Sequence, residues 1–123
     1  MESTLVLLVT STDMASVKDT RVSLDILRSL GFSEDRVKLA LNHANSENGV
    51  HISDVEQVLK DKIFWSIPFD KNVVVSSQLG QPIVLTKPKA RAARNLVDLS
   101  VAITGTRQKR DSWLTRLFGV ARR

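Results

Sequence analysis

Cysteine is absent from this chain of 123 residues. Without thiols there is no disulfide framework and no cysteine-ligated zinc or iron–sulfur centre, and the chain suits a reducing compartment. Histidine is almost as scarce: 2 residues, His43 and His51, leave little material for other transition-metal sites. The 5 glycines stand at 31, 49, 80, 105 and 119. None are spaced as Gly-x-x-x-x-Gly-Lys-Ser/Thr or Gly-x-Gly-x-x-Gly requires, so the chain offers no glycine-rich backbone nest to cradle a triphosphate. Long apolar runs are missing too. The longest, Leu5 to Val9, falls far short of the roughly 20 residues of a membrane-spanning helix. Met1-Glu2-Ser3-Thr4 places an acid where a secretory signal carries a basic region, and no small-residue cleavage pattern follows. Together these features lead to the expectation of a cytoplasmic protein.

What is present is an ordinary globular composition, 42% hydrophobic and 25% charged, enough for one domain. The charge is unevenly placed. Residues 1–86 carry 8 Lys and Arg against 11 Asp and Glu, whereas residues 87–123 carry 10 against 2, so a local block of +8 follows a stretch of −3. A block of that kind suits an anionic surface, either lipid headgroups or nucleic acid.

Hydrophobic patterning predicts repeated strand–helix units. The run from Thr4 to Thr10, apolar with no polar alternation, reads as a central parallel strand covered on both faces. Capping side chains at Ser11, Thr12, Asp13 and Ser16 precede an amphipathic helix through Val17, Val22, Leu24, Ile26, Leu27 and Leu30 that ends at Gly31. A second strand is expected over 37–42, followed by a polar loop over 43–49. Ser53 and Glu56 have the spacing of a capping box opening a helix over 54–60. A third strand over 63–67 closes at Pro68. Asp70 is expected to cap a helix through Leu79, although Val73-Val74-Val75 also suits a strand. Ile83-Val84-Leu85 reads as extended, and Pro88 as the first-turn proline of a helix from Lys89 to Ile103, ended by Gly105. The fold class that follows is α/β, a mostly parallel sheet with helices on both faces. Three strands are few for such a sheet. The expectation is therefore an incomplete domain over 1–103, completed by another chain or by a preceding segment, with a linker over 104–110 and a helix over 111–123.

Ligands of α/β sheets bind at the carboxyl ends of the strands. Asn42 ends the second strand, and its amide can both donate and accept, which suits a purine edge; a turn-forming role is the plain alternative. Pro68-Phe69-Asp70 ends the third strand at the same level, with helix capping the plain role for Asp70. His43 and His51 have no third partner that would make a catalytic set, and no catalytic or metal-binding residue is assigned.

Five segments, in order, carry a resemblance. These are residues 7–21 (LLVTSTDMASVKDTR), 39–42 (LALN), 67–70 (IPFD), 80–85 (GQPIVL) and 88–96 (PKARAARNL). The series resembles the second half of the ParA/MinD-type ATPases and, within them, the CpaE/TadZ-like proteins of Flp (tight-adherence) pilus assembly. The resemblance implies a P-loop NTPase-like fold that is incomplete here. It also implies adenine recognition by Asn42, with the turn of Pro68, Phe69 and Asp70 holding the base through its backbone. The arginine common after the asparagine is His43 in this chain, which replaces a planar guanidinium with a smaller group. The family's cofactors are ATP and Mg. Its phosphate-binding loop, Mg-binding carboxylate and switch regions precede the matched segment, so the chain alone is expected to be inactive and to bind nucleotide weakly. The implied partners are a second copy in the complete protein and pilus assembly components. Relatives acting in septum placement, flagellar number or chromosome partitioning, and a non-enzymatic interaction module, are the alternatives.

The last segment runs from Arg107 to Arg123. Its apolar residues at 113, 114, 117, 118, 120 and 121 fall on one helical face, flanked by Lys and Arg. Trp113, Leu114, Leu117 and Phe118 with Arg116 suit an amphipathic helix lying in an anionic membrane surface. Leu114 to Gly119 also resembles the membrane-targeting helix of MinD proteins. That implies a peripheral protein on the inner face of the cell membrane. Docking of this helix on the domain's own surface, or DNA contact by the basic block, are the alternatives.

Overall fold

A computed structural model describes residues 5–45, 47 and 49–105. Most of the expected linker and all of the amphipathic segment, with Trp113, Leu114, Arg116, Leu117 and Phe118, lie outside the described residues. The elements in chain order are β1 (Val6–Thr10), α1 (Met14–Ser29), β2 (Val37–Ala44), α2 (Ile52–Leu59), β3 (Ile63–Pro68), α3 (Lys71–Gln78), α4 (Ile83–Thr86) and α5 (Arg91–Thr104). The strands form a parallel three-stranded sheet in the order β1-β2-β3. The expected α/β class is the observed one.

The place of β1 differs from expectation. It is an edge strand, and β2 is central, because Leu39, Ala40 and Leu41 of β2 are the strand residues buried to within 1%. Val9 of β1 is 51% exposed, since no described element covers that side chain.

Helix α1 starts where the capping residues placed it. Asp13 Oδ1 accepts from Ser16 N–H at 2.8 Å, and Ser16 Oγ donates to the second carboxylate oxygen at 2.8 Å. These bonds hold the Asp13 carboxyl below its usual value, the Ser16 backbone donor being the main cause. At the other end Gly31 takes φ 89° while Gly31 and Phe32 N–H donate to Arg28 and Leu27 carbonyls, the left-handed helix stop that favours glycine. The apolar stripe is used only in part. Val17 and Leu24 are buried, while Val22, Ile26 and Leu30 face outward.

The main core lies between the sheet and the pair α1 and α2. Val17, Leu39, Leu41, Val55 and Leu59 meet there, with Leu8 and Ile63 packed beside them. Full burial of each large side chain contributes about 1.5–3 kcal/mol. Arg21 Nη1 also donates to the Leu59 carbonyl at 3.1 Å, tying α1 to the end of α2.

The opposite face follows from the register. Ala40 points away from Leu39 and Leu41, and its partner on β3 is Trp65, whose Nε1 donates to Asn95 Oδ1 of α5 at 3.0 Å. Helix α5 therefore covers this second face beside β3. A smaller cluster of Ile83, Ala92 and Ala93 joins α4 to α5.

Three local expectations fail for tertiary reasons. The Ser53–Glu56 pair does not cap α2, which starts after His51 with no side-chain cap bond. Glu56 instead accepts from Ile63 N–H at 2.8 Å and so anchors the start of β3. Ile83-Val84-Leu85 is helical, because Leu85 and Thr86 N–H donate to the Pro82 carbonyl and Ile83 is drawn into the cluster with Ala92 and Ala93. Helix α5 begins at Arg91 rather than in the turn holding Pro88, and runs through Thr104 to Gly105 at φ 70°. The helix after Asp70 is present as expected, and β2 extends through His43 and Ala44.

Candidate functional site at the carboxyl edge of the sheet

The site is built on a β-bulge. Leu41 pairs with Ser66 and Ala44 with Pro68, so Asn42 and His43 together stand opposite Ile67. An extra residue of this kind re-aims the side chains around it. His43 takes φ 58°, a left-handed conformation that costs an ordinary residue about 1 kcal/mol. Its N–H donates to Asn42 Oδ1 at 3.0 Å. The imidazole stays on the rim, with Nδ1 3.5 Å from Ser11 Oγ of the β1–α1 turn. Phe69 of the β3–α3 turn meets that ring edge-on, with centroids 5.8 Å apart.

The β3 side is fixed by hydrogen bonds. Phe69 N–H donates to the Ala44 carbonyl at 3.1 Å, locking the ends of β2 and β3 together. Asp70 caps α3 by accepting from Asn72 N–H at 2.9 Å, and its other oxygen accepts from Ala92 N–H in the first turn of α5 at 3.0 Å. The Ala92 donor, then the Asn72 donor, holds the Asp70 carboxyl below its usual range. One carboxylate thus joins the starts of two helices.

These turns enclose a cavity of about 200 Å³. Asn42, Pro68, Phe69 and Asp70 all line it, together with apolar walls from Ile67, Val73 and Leu96. The residues singled out in the sequence are therefore brought to one place, but with unequal freedom. The Asp70 carboxylate is committed to two backbone donors. Asn42 keeps its Nδ2 without a hydrogen-bond partner among the described residues. Apolar walls, an oriented amide and turn backbone fit a flat heteroaromatic ring. The described residues contain no group of three or more His, Cys, Asp or Glu able to hold a metal ion.

Sequence reasoning missed Asn95. Its Oδ1 accepts from Trp65 and its Nδ2 donates to the Ser66 carbonyl at 3.0 Å, so it pins α5 to β3 beside the cavity. The available signal was its spacing, three residues after Ala92 and four before Leu99 on the apolar face of the helix. On the other side of Pro68 an open groove of about 470 Å³ is lined by Asn45, Arg91, Arg94 and Asp98, among others. Lys87, Lys89, Arg91 and Arg94, the part of the basic block within the described residues, are all exposed near this end of α5. No described helix is long and apolar enough to cross a membrane.

The fold is a parallel α/β domain with a cavity at the carboxyl edge of its sheet. No family model matches the chain. A septum site-determining MinD protein of Mesostigma viride is 32% identical over 84 residues, 64% of this chain and 29% of that protein. The septum site-determining protein MinD of Thermotoga maritima is 24% identical over 105 residues, 81% of this chain and 38% of that protein. Among solved structures, the ParA family ATPase from Chlorobium tepidum superposes with a TM-score of 0.69 at 22% identity, over 80% of this chain and 40% of that one. The MinD of Pyrococcus horikoshii, solved in complex with Mg-ADP, gives 0.68 at 21% identity, over 82% and 41%. The fold is that of the MinD and ParA ATPases of known structure, and the sequence relatives are MinD proteins. The chain spans about a third of the length of the curated relatives it matches.

Proposed function

We propose that the chain is the carboxy-terminal portion of a CpaE-like ATPase of the MinD/ParA type, which helps place a Flp pilus assembly apparatus at the membrane. The carrying observation is the convergence of Asn42 and Pro68 to Asp70 on one cavity at the carboxyl edge of the sheet. In this reading the cavity takes the adenine of ATP, and Asn42 and the Pro68–Asp70 turn read its edge. Phosphate and magnesium chemistry comes from a segment outside this chain, which has no phosphate-binding loop motif. The basic apolar segment containing Trp113, Leu114, Arg116, Leu117 and Phe118 holds the protein on anionic lipid. ATP-dependent pairing of complete copies raises the avidity of that anchor.

The ATPase part is tested by the coding region immediately upstream. An in-frame phosphate-binding loop is the expected finding; an unrelated upstream sequence overturns it in favour of a non-enzymatic interaction module. Sedimentation with anionic vesicles, with and without residues 107–123, tests the anchor, and equal binding of the two forms rejects it. A second reading, septum placement, is favoured by the MinD relatives. Deleting the gene separates the two: loss of pili with normal septa supports the first reading, and misplaced septa with normal pili support the second.

A further inference from the structure

We infer that the groove between the end of β3 and the start of α5 is a docking site for an acidic, extended segment of a partner protein. It lies on the other side of Pro68 from the edge cavity and does not depend on the nucleobase reading. Lys87, Lys89, Arg91 and Arg94 are all exposed, and none lies within ion-pair distance of an acid among the described residues. Arg91 feels the Asp70 carboxylate, but both oxygens of that group are already held by backbone donors. Asp98, four residues after Arg94, is the acid in the groove's lining. Arg91 and Arg94 also stand at the start of α5, the positive end of the helix dipole, where no acid in the first turn offsets them. That crowding of positive charge is relieved when an anion settles between the guanidiniums.

The shape of the groove selects the kind of anion. Asn45 and Ser66 line it with side chains that have no hydrogen-bond partner among the described residues, and Ala44 and Pro68 are buried beside them. Through Ala44, Asn45 and Ser66 it joins a second hollow of about 340 Å³ that reaches Val50 and His51 ahead of α2. A free phosphate fills only a fraction of that path. An extended chain, rising about 3.3 Å per residue, follows it, with carboxylates on Arg91 and Arg94 and backbone groups on Asn45 and Ser66. Glu47 lines the second hollow, so the acidic residues of the segment belong at the α5 end. A DNA duplex is a broad rod with its phosphates outermost, and it would meet Lys87 and Lys89 without reaching Ala44 or Pro68. The groove therefore fits a peptide better than a nucleic acid.

The test is nuclear magnetic resonance of the full chain labelled with nitrogen-15, titrated with a short peptide of alternating Glu and Ser, with its Gln and Ser counterpart, and with a short DNA duplex. The Glu peptide is expected to shift the signals of Asn45, Ser66, Arg91 and Arg94, and the Gln peptide to leave them in place. Arg91→Gln combined with Arg94→Gln should weaken the Glu peptide about tenfold. Lys87→Gln combined with Lys89→Gln should weaken it only about twofold, because these two side chains stand outside the groove's lining. Equal shifts with both peptides, no shift with either, or undiminished binding by the paired arginine variant overturns the inference. So do shifts confined to residues 106–123, which would mean that the basic tail alone collects the peptide. Stronger shifts of the same groove signals by the duplex would make nucleic acid the occupant and overturn it too. The dispersion of each spectrum reports folding, and if the paired arginine variant is not folded, Arg94→Gln alone decides the matter with an expected loss of about threefold.

Discussion

On the face covered by α1 and α2, Val17, Leu39, Leu41, Val55 and Leu59 are each at most 1% exposed. On the face covered by α5, Val9 is half-exposed and a cavity opens at the carboxyl edge. The first face is held by a continuous apolar core. The second leans on a few polar anchors, Asp70 between α3 and α5 and Asn95 between α5 and β3. Apolar packing closes around its contents and leaves little room, whereas directional bonds can hold elements apart at a set distance. The cavity is found where the second kind of support dominates.

That contrast can be broken at its strongest point first. Leu59→Ala removes a fully buried side chain from the first face and is expected to cost about 3 kcal/mol in chemical denaturation. A loss below 1 kcal/mol would mean that this core is looser than its burial implies.

Asp70→Asn acts on the second face. Replacing a charge-assisted double cap is expected to cost about 1–2 kcal/mol at neutral pH and to speed amide exchange at the start of α5. The pH dependence has a definite sign. The folded Asp70 carboxyl lies below the usual value of 3.8, so its contribution is present above that pH and is lost as pH falls through the lowered folded value. The variant should show a shallower loss of stability below about pH 4 than the parent. An unchanged acid limb would show that Asp70 does not couple the two helices.

The smallest effect is expected at Asn95. Asn95→Ala should cost about 1 kcal/mol and, with Trp113 replaced by Phe, shift Trp65 emission to the red as water takes the place of the Asn95 carbonyl at its Nε1. A blue shift would place Trp65 in a drier setting and argue against a polar anchor there.

Much of the chain's local structure could be read residue by residue. Asp13 and Ser16 start α1, Gly31 stops it, Asp70 starts α3 and Gly105 stops α5, because each acts on backbone groups within a few residues of itself. The candidate cavity was legible as a set of names, Asn42 and Pro68 to Asp70, but only through position at strand ends and resemblance. Glu56 shows where such reading fails. Its spacing from Ser53 suits a local cap, yet Ile63 N–H at the head of β3 is the donor it meets. Ile83 to Leu85 fail for a similar reason: a β-branched run suits a strand in isolation, while burial against Ala92 and Ala93 favours a helical turn.

Composition and periodicity were enough for the class of fold, since alternating strand and helix patterns admit few parallel, right-handed arrangements. They were also enough for the absence of a phosphate-binding loop motif, which is a matter of glycine spacing alone. The order of the strands, the edge position of β1 and the bulge that orients Asn42 emerged only in the folded chain. Each depends on contacts between residues far apart in sequence. The worth of a side chain there is set by the partner brought to it.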